Sequence, residues 1–343
     1  MYSKRQDLIL YFIKTAGSAS RGEIEKYLYR EGVKSTKITV VRDLDQLISD
    51  GAIKKSGKAK VTRYSLSIRS KLLTTMDVEE YFSKSQDERV SSFIGFNFDV
   101  FTDLHDLLTT KEKTELDVLN EAYRREKSNL SNTLLQKEYE RLTVEFSWKS
   151  SQIEGNTYTL LDTERLLKEN IAAKGKTSEE TQMVLNHKKA LDFVLQFPEY
   201  YKNLTVAKIE EIHSLVVNNL GITRGIRHNS VGIIGTNYRP LDNIHQIKDA
   251  LYNLVNVVNS IEHPIEKALI AVLMISYIQP FEDGNKRTSR ILGNALLLAN
   301  DYRPLSYRSI DEVEYKKGVI LFYEVNNASY FKKLFIEQFH GGR

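Results

Sequence analysis

Residues 278–290, IQPFEDGNKRTSR, gather the side chains of this chain that are best suited to phosphate chemistry. Asp283 offers a hard oxygen of the kind that Mg²⁺ prefers as a ligand. The Gly-Asn pair that begins at Gly284 tolerates the left-handed backbone of a tight turn, whose N–H groups can bind an anion. Arg287 and Arg290 are three residues apart, so they share one helix face beside that turn. These spacings predict a pocket for a polyphosphate and its metal ion.

Two apolar stretches flank this motif and must position it. Residues 268–278 (ALIAVLMISYI) precede it, and residues 291–299 (ILGNALLLA) follow it. Each stretch is long enough for a buried helix. We therefore expect a helical hairpin whose connecting loop opens on a cavity, with the N-terminus of the second helix contributing to the anion site.

The motif resembles the signature of the Fic (Fido) family, HxFx(D/E)GN(G/K)RxxR, at every defined position except the first. The resemblance implies a helical domain that binds Mg-ATP and transfers AMP to a Ser, Thr or Tyr hydroxyl. Where the family has its general-base histidine, this chain has Gln279, and both a natural divergence and an introduced substitution are compatible with that. Because an amide has no pKa near neutrality, it cannot take a proton from the attacking hydroxyl. The expectation is nucleotide binding with AMP transfer impaired or absent.

The resemblance also assigns roles by position. It implies that Asp283 binds the metal ion, that Arg287 holds the β-phosphate and that Arg290 holds the γ-phosphate of ATP. The other residues that it places at the nucleotide are Phe281, Gly284, Asn285, Lys286, Tyr315, Val231, Gly232, Ile233 and Ile234.

A second motif, SSQIEGN, lies upstream of the signature on a helix that we place near residues 145–156. Ser150, Glu154 and Gly155 match the inhibitory motif of the family, [S/T]xxxE[G/N], in which the glutamate pairs with the second arginine of the signature. A carboxylate on Arg290 would exclude the γ-phosphate, because an Arg–carboxylate pair is strong enough to compete. Two alternatives remain open: Glu154 is an ordinary helix-end acid, or it activates water in a reverse, AMP-removing reaction.

Residues 231–238 combine β-branched side chains with glycines and predict a β-hairpin inside the helical domain. The hairpin resembles the flap of the family, which pairs with a strand of the target protein and closes over the nucleotide. An exposed strand edge can recruit an extended peptide by main-chain hydrogen bonds. The plain alternative is a surface hairpin without a partner.

The N-terminal 67 residues carry a net charge of +7, whereas the remaining 276 carry −3. Their pattern predicts helices at 6–16, 21–31 and 36–49, followed by a basic hairpin, and resembles a winged helix-turn-helix. We expect the third helix to bury Ile38, Val41, Leu44, Leu47 and Ile48.

In a winged helix-turn-helix the third helix enters the major groove and the wing reaches phosphates. The resemblance therefore implies double-stranded DNA as a partner, bound by Lys37, Thr39, Arg42, Lys54, Lys55, Lys58, Lys60 and Arg63. Two further hypotheses follow. The module either makes protein contacts instead, or it belongs to a transcriptional regulator whose degenerate Fic domain senses nucleotide.

The fold class that we predict is mostly α: an all-helical Fic/Fido domain with a β-hairpin flap, plus a small α+β winged-helix domain. We place the winged helix at 1–67, a helical connector at 68–110 and the Fic/Fido domain at 111–343. The chain has no cysteine, no signal-peptide pattern and no uncharged run of the roughly 18 residues that span a membrane. We therefore expect a cytoplasmic protein without membrane contact, and a homodimer stays open. His187 and His213 are expected to be structural.

Overall fold

The computed structural model describes residues 2–57 and 61–341, without the side chains of residues 68 and 69. Within these residues it has fifteen α-helices and one two-stranded antiparallel sheet, so the mostly helical fold predicted from the sequence is confirmed. The chain divides into two compact units, Met1–Thr75 and Met76–Arg343.

The first unit consists of three helices, a short antiparallel hairpin and a fourth helix. In chain order these are α1 (Lys4–Ala16), α2 (Arg21–Arg30), α3 (Lys37–Ser49), β1 (Ile53–Ser56), β2 (Arg63–Leu66) and α4 (Ile68–Leu73). The side chains of Ser3, Ser20 and Thr36 cap the first three helices, and the two serines form complete capping boxes. These caps satisfy N–H groups that a helix cannot pair internally, which explains why the helices begin where they do.

One prediction for α3 is wrong. Ile38 was expected to face the core, but its side chain is 67% exposed. The buried face instead carries Val40, Asp43, Leu44 and Leu47, which follow the spacing of three and four residues that one helix face requires. Asp43 fits there because its carboxylate is paired with an arginine of α1. Because the buried face of α3 includes the polar Asp43, the apolar residues in the sequence predicted a different face of the helix.

The second unit is a helical body of eleven helices within the described residues. They are α5 (Val78–Ser83), α6 (Thr110–Asn129), α7 (Asn132–Ile153), α8 (Leu160–Glu169), α9 (Ser178–Gln196), α10 (Val206–Val216), α11 (Ile244–Ser260), α12 (Pro264–Ile278), α13 (Asn285–Ala299), α14 (Glu312–Val325) and α15 (Ser329–His340). Short 3₁₀ turns at Gln86–Glu88, Phe98–Thr102 and Pro198–Tyr201 connect some of them.

The centre of this unit is the pair α12 and α13, which the motif at 278–290 connects. Residues 268–278 of α12 are all buried, as is nearly all of α13. The two helices meet closely at Gly293, where an added Cβ would lie 2.8 Å from Cγ2 of Val272. The expected buried helical hairpin is therefore present, and its tight packing gives the loop between the helices a rigid base.

The segment 231–238, predicted as a β-hairpin, contains no strand. The sheet lies in the first unit instead, between β1 and β2. The backbone at the end of the segment pairs with a different stretch of chain: the Arg239 N–H donates to the Ile94 carbonyl at 2.7 Å, and Gly95 and Arg239 form an isolated parallel bridge. Gly235 adopts a left-handed φ of +87°. We keep the name flap for residues 231–238, which form a loop with a turn at 234–235.

Among the described residues, none of the helices combines the length and the apolar character that a membrane crossing requires.

Candidate functional site

The loop between α12 and α13 is closed by one side chain. Oδ1 of Asn285 accepts from the Phe281 N–H at 2.9 Å, and its Nδ2 donates to the Phe281 carbonyl at 2.8 Å. The side-chain amide thus satisfies both the N–H and the carbonyl of Phe281, which fixes the turn. The turn therefore depends on a side chain that can accept and donate at once, as the amide of Asn285 does.

His213 holds the same loop by ring stacking and by a hydrogen bond. The ring of His213 on α10 stacks on Phe281, with centroids 3.7 Å apart and planes inclined by 9°. Its Nε2 lies 3.0 Å from the Asp283 carbonyl, which can only accept, so Nε2 carries the proton. Burial lowers the pKa of His213 to about 4, so the ring is neutral at neutral pH. His213 is therefore structural, as expected, and its task is to hold the loop.

Gly284 makes the turn into α13 and leaves that helix end open. It is the N-cap residue with φ +80°, and an added Cβ would lie 2.9 Å from Cγ1 of Val217. Among the described residues, no side chain caps α13. The N–H of Gly284 itself donates to Oδ1 of Asp283 at 2.5 Å. The first N–H groups of α13 therefore remain suited to an external anion.

Arg287 and Asp283 form a pair across the first turn of α13. Nη2 of Arg287 donates to Oδ2 of Asp283 at 2.7 Å. The arginine is buried, whereas the side chain of Asp283 is 66% exposed. Nη1 of Arg287 has no hydrogen-bond partner in the described part of the chain. A buried N–H group without a partner is costly, so it indicates a place that a ligand could fill.

Arg290, one turn further along α13, is fully buried and held by α7. Its Nε donates to Oγ of Ser150 at 2.9 Å, and its Nη2 donates to the Ser150 carbonyl and to Oε1 of Glu154, both at 2.8 Å. Nη1 is again without a partner among the described residues. The structure thus brings Arg290 against Ser150 and Glu154 of α7, which lie 140 and 136 residues before it in the sequence.

The Glu154 carboxylate is charged in this arrangement. Burial acts to raise its pKa, but the positive charges of Arg290 and Lys286 outweigh burial, so the pKa lies below its ordinary value. Nζ of Lys286 is 3.9 Å from Oε2, at the limit of an ion pair. Glu154 ends α7 as its C-cap residue, and Gly155 follows with φ +92°. The helix end thus points the carboxylate at two cations of the signature.

Ser150 is itself oriented by a buried histidine on α9. Nδ1 of His187 lies 2.8 Å from the Met183 carbonyl, so Nδ1 carries the proton and Nε2 is an acceptor. Nε2 lies 2.8 Å from Oγ of Ser150, which therefore donates to His187 and accepts from Arg290. Burial lowers the pKa of His187 to about 3, which keeps the ring neutral. This role was not visible in the sequence, where His187 is 37 residues from Ser150.

Gln279 is the C-cap residue of α12 and has a left-handed backbone, with φ 50° and ψ 58°. It is buried, and its Nε2 donates to the Ser276 carbonyl at 2.7 Å. The amide nitrogen therefore closes the end of its own helix. The side chain still offers its carbonyl oxygen and the second N–H of its amide, but neither can remove a proton from a hydroxyl at neutral pH.

Arg227 fixes the position of Gln279 and was missed in the sequence. Its buried guanidinium donates to the carbonyls of Gln279 at 2.7 Å and Asn229 at 2.6 Å, and to that of Leu241. Its own N–H donates to the Pro280 carbonyl at 3.0 Å. The flap lies in the loop between Asn229 and Leu241. Arg227 thus connects both ends of this loop to the start of the signature at Gln279. No local pattern in the sequence could have shown contacts 52 residues away.

The remaining predicted residues lie in three places. Tyr315 on α14 is fully buried, and the Arg290 guanidinium lies 5.4 Å from the centroid of its ring. The flap residues Val231, Gly232 and Ile233 are partly or fully exposed, and Ile234 is 99% exposed. In the first unit, Lys37, Arg42, Lys54 and Lys55 are exposed and Thr39 is partly so, whereas Lys58 and Lys60 lie outside the described residues.

Arg63 differs from the other basic residues of the hairpin because it already has partners. Its Nε donates to Oγ of Ser18 at 3.0 Å, and its Nη2 donates to the Ser18 carbonyl at 2.9 Å. The same Nη2 lies 3.4 Å from Oε2 of Glu23. These contacts join β2 to the start of α2, so Arg63 has a structural task whatever else it binds.

Comparison with known proteins points to one family. Residues 203–297 match the model of the Fic/DOC family. The curated "Protein adenylyltransferase Fic" of Nematostella vectensis is 31% identical over 172 residues, which cover 49% of this chain and 40% of the relative. The protein of the same name from Drosophila melanogaster is 29% identical over 178 residues, which cover 51% and 36%. The chain therefore spans about two fifths of the length of these relatives.

Solved structures share the fold at lower sequence identity. Fic-1 from C. elegans superposes with a TM-score of 0.55 at 21% identity, covering 67% of this chain and 68% of that one. A Fic family protein from Desulfovibrio desulfuricans G20 gives a TM-score of 0.55 at 19% identity, covering 68% and 73%. The fold of this chain is therefore similar to that of solved Fic proteins, and the residues that match the family model include the loop that begins at Gln279.

Proposed function

We propose that this protein binds Mg-ATP on the 278–290 loop and that it is a Fic-type adenylyltransferase restrained twice. Glu154 occupies Arg290, and Gln279 stands where a general base is needed. The observation that carries the proposal is the Arg290–Glu154 pair, 2.8 Å long, beside a helix N-terminus without a side-chain cap. The curated relatives named protein adenylyltransferase Fic support the assignment of AMP transfer.

The residues of the loop fit a polyphosphate. Arg287 and Arg290 each keep one buried N–H group without a partner among the described residues, and the uncapped end of α13 lies between them and the loop. Anions bind at such helix ends, and arginine binds phosphate through paired N–H groups. In this proposal Arg287 holds the β-phosphate, and Arg290 holds the γ-phosphate once Glu154 has moved away.

The loop also fits Mg²⁺ as a companion of the phosphates. Asp283 is the exposed carboxylate at the site, and no group of three acidic or histidine side chains suited to a metal occurs among the described residues. Mg²⁺ commonly takes one or two carboxylates, with phosphate oxygens and water as the other ligands. Asp283 would hold the ion, which would neutralise phosphate charge when bound.

The chain's own residues explain why AMP transfer should be slow. The attacking hydroxyl must lose its proton while its oxygen bonds to the α-phosphorus and the bond to the β-phosphate oxygen breaks. Gln279 can accept a hydrogen bond from that hydroxyl and orient it, but it cannot take the proton. Loss of a general base typically costs about 10²–10⁴-fold in rate. The protein would thus hold nucleotide and transfer AMP poorly.

Calorimetry with Mg-ATP tests the nucleotide site. We expect Glu154→Ala to tighten ATP binding by at least about tenfold, because it frees Arg290 from a charge-assisted pair. Glu145→Ala is the matched control, since Glu145 lies on the same helix and pairs instead with the exposed Arg308. The Glu145→Ala variant should bind Mg-ATP with the same affinity as the unsubstituted protein. Absence of ATP binding by a folded Glu154→Ala variant would refute the proposal.

The first unit favours a second candidate function, the binding of double-stranded DNA by a winged helix-turn-helix. Its three helices and hairpin have the order of that fold, and it has twice as many basic as acidic residues within 1–67. Four of the proposed contact residues, Lys37, Arg42, Lys54 and Lys55, are exposed on α3 and β1. A basic surface on these elements suits a major groove and its flanking phosphates.

A salt series with a mixed-sequence duplex of about 25 base pairs tests DNA binding. We expect Arg42→Ala with Lys55→Ala to weaken binding and to reduce the slope of log K against log salt by about 0.9 per lost phosphate contact. Lys4→Ala with Arg30→Ala removes the same charge from α1 and α2 and serves as the control. Equal losses in both double variants would mean that binding follows net charge alone, and the proposed interface would be wrong.

A further inference from the structure

Residues 86–97, which we call the strap, run beside the second half of the flap. The Arg239 N–H donates to the Ile94 carbonyl at 2.7 Å, in the parallel bridge between Gly95 and Arg239. Nε2 of Gln86 donates to Oδ1 of Asn237 at 2.8 Å, and Nδ2 of Asn237 donates back to the Gln86 carbonyl at 3.2 Å. The strap therefore pairs with the second half of the flap and with the adjoining Arg239.

Arg89 is the central contact of the strap. Its Nε and Nη2 donate to the two oxygens of Glu324 on α14, each at 3.0 Å. The same Nη2 donates to the Gly235 carbonyl at 2.5 Å. Both side chains of the ion pair are buried, and Glu324 also accepts from the Tyr81 hydroxyl at 2.7 Å. A guanidinium held at two points by a buried carboxylate has little freedom to move, so the carbonyl that it binds is fixed as well.

The strap is anchored to the helical body along its length. The N–H groups of Ser92 and Phe93 donate to the Glu324 carbonyl at 2.9 and 3.2 Å. The Asn97 N–H donates to the hydroxyl of Tyr277 on α12 at 2.9 Å, and its Nδ2 donates to Oδ1 of Asn326 at 2.9 Å. These contacts are distributed over the whole strap, so the flap rests on α12 and α14 through it.

The two halves of the flap differ in their hydrogen bonding. Residues 235–238, together with the adjoining Arg239, have the contacts with the strap. By contrast, the N–H groups of residues 231–234 donate no hydrogen bond in the described part of the chain, and the Ile234 side chain is 99% exposed. The left-handed Gly235, with φ +87°, lies at the boundary.

We propose that Arg89 is a positioning residue of the flap. It holds the Gly235 carbonyl, so that the strap fixes residues 235–239, while the N–H groups of residues 231–234 donate no hydrogen bond among the described residues. The proposal rests on the geometry of the strap and α14 alone.

Amide hydrogen exchange tests the positioning without nucleotide or target, so its outcome is independent of the proposed function. The reporter is the Arg239 N–H, which the strap protects. Arg89→Met combined with Glu324→Gln removes the contact without leaving a buried unpaired charge. We expect the Arg239 amide to exchange about tenfold faster or more, while amides in the middle of α12 keep their rates.

Three further variants separate positioning from general stability. Asn237→Ala removes an exposed contact of the strap and should accelerate the same amide by a smaller factor. Arg89→Lys should give an intermediate rate, because lysine keeps the charge but cannot bind Glu324 and Gly235 together. Glu79→Ala is the control, since Glu79 is 81% exposed and pairs with Lys317 on α14, not with the flap. Unchanged Arg239 exchange in the double variant and in Asn237→Ala, or equal acceleration in α12, would overturn the proposal.

Discussion

Replacing Gln279 by histidine in a Glu154→Ala background is expected to produce AMP transfer about 10²–10⁴-fold faster than in Glu154→Ala alone. Both restraints, the Glu154 carboxylate on Arg290 and the missing base at position 279, must be removed. While Glu154 occupies the proposed γ-phosphate site, ATP cannot bind in the pose on which a base would act. The new imidazole would sit at the end of α12, where Arg227 holds the backbone carbonyl of residue 279. Incorporation of labelled AMP into the protein itself is the measurement.

Two comparisons make this result interpretable. Gln279→His alone should remain slow, since Glu154 still pairs with Arg290. Gln279→Asn with Glu154→Ala is the control, because it also changes residue 279 but supplies no general base. The proposal of adenylyltransferase chemistry would fail if the histidine variant bound Mg-ATP with the affinity of the Glu154→Ala protein and yet incorporated no AMP.

Replacing Arg290 by methionine in the Glu154→Ala background is expected to weaken Mg-ATP binding by about 10²-fold or more, and Mg-ADP binding much less. The expected loss is that of one charge-assisted contact in a buried site, about 2–5 kcal/mol. ADP lacks the γ-phosphate that Arg290 is proposed to hold, so the two nucleotides separate its contact from a general effect on the pocket. Calorimetry with both nucleotides provides the comparison.

Arg308→Met is the matched control for Arg290→Met. Arg308 also pairs with a glutamate of α7, Glu145 at 2.9 Å, but its side chain is 57% exposed. This variant should bind both nucleotides as the Glu154→Ala parent does. Equal losses of ATP and ADP affinity in Arg290→Met would place the γ-phosphate elsewhere and contradict the assignment of Arg290.

The sequence predicted the parts of the structure that depend on local chemistry. The helices predicted at 6–16, 21–31 and 36–49 correspond to α1, α2 and α3, and the apolar stretches around the signature form α12 and α13. The pairing of Glu154 with Arg290 was also expected, although through the resemblance of two motifs and not from spacing. Local patterns of this kind are reliable because each depends on residues within one or two helical turns.

The sequence failed where the structure depends on distant contacts. β-Branched residues at 231–234 indicated a strand, but a strand needs a partner, and the backbone at Arg239 pairs with Ile94 instead. The roles of Arg227 and His213 under the signature loop depend on contacts across 52 and 70 residues. No periodicity within one segment carries that information, because tertiary packing selects such partners only after the helices have met.

The clasp that Asn285 makes around Phe281 has a thermodynamic consequence for any ligand of this loop. With two hydrogen bonds from one amide above and the His213 ring below, the loop is already ordered in the free protein. The entropy of fixing its backbone was therefore lost when the chain folded, and a phosphate that arrives later does not lose it again. Under the proposed function, a phosphate would still have to replace the Glu154 carboxylate on Arg290. The loop is preorganised, and affinity can be adjusted by α7 without changing the site itself.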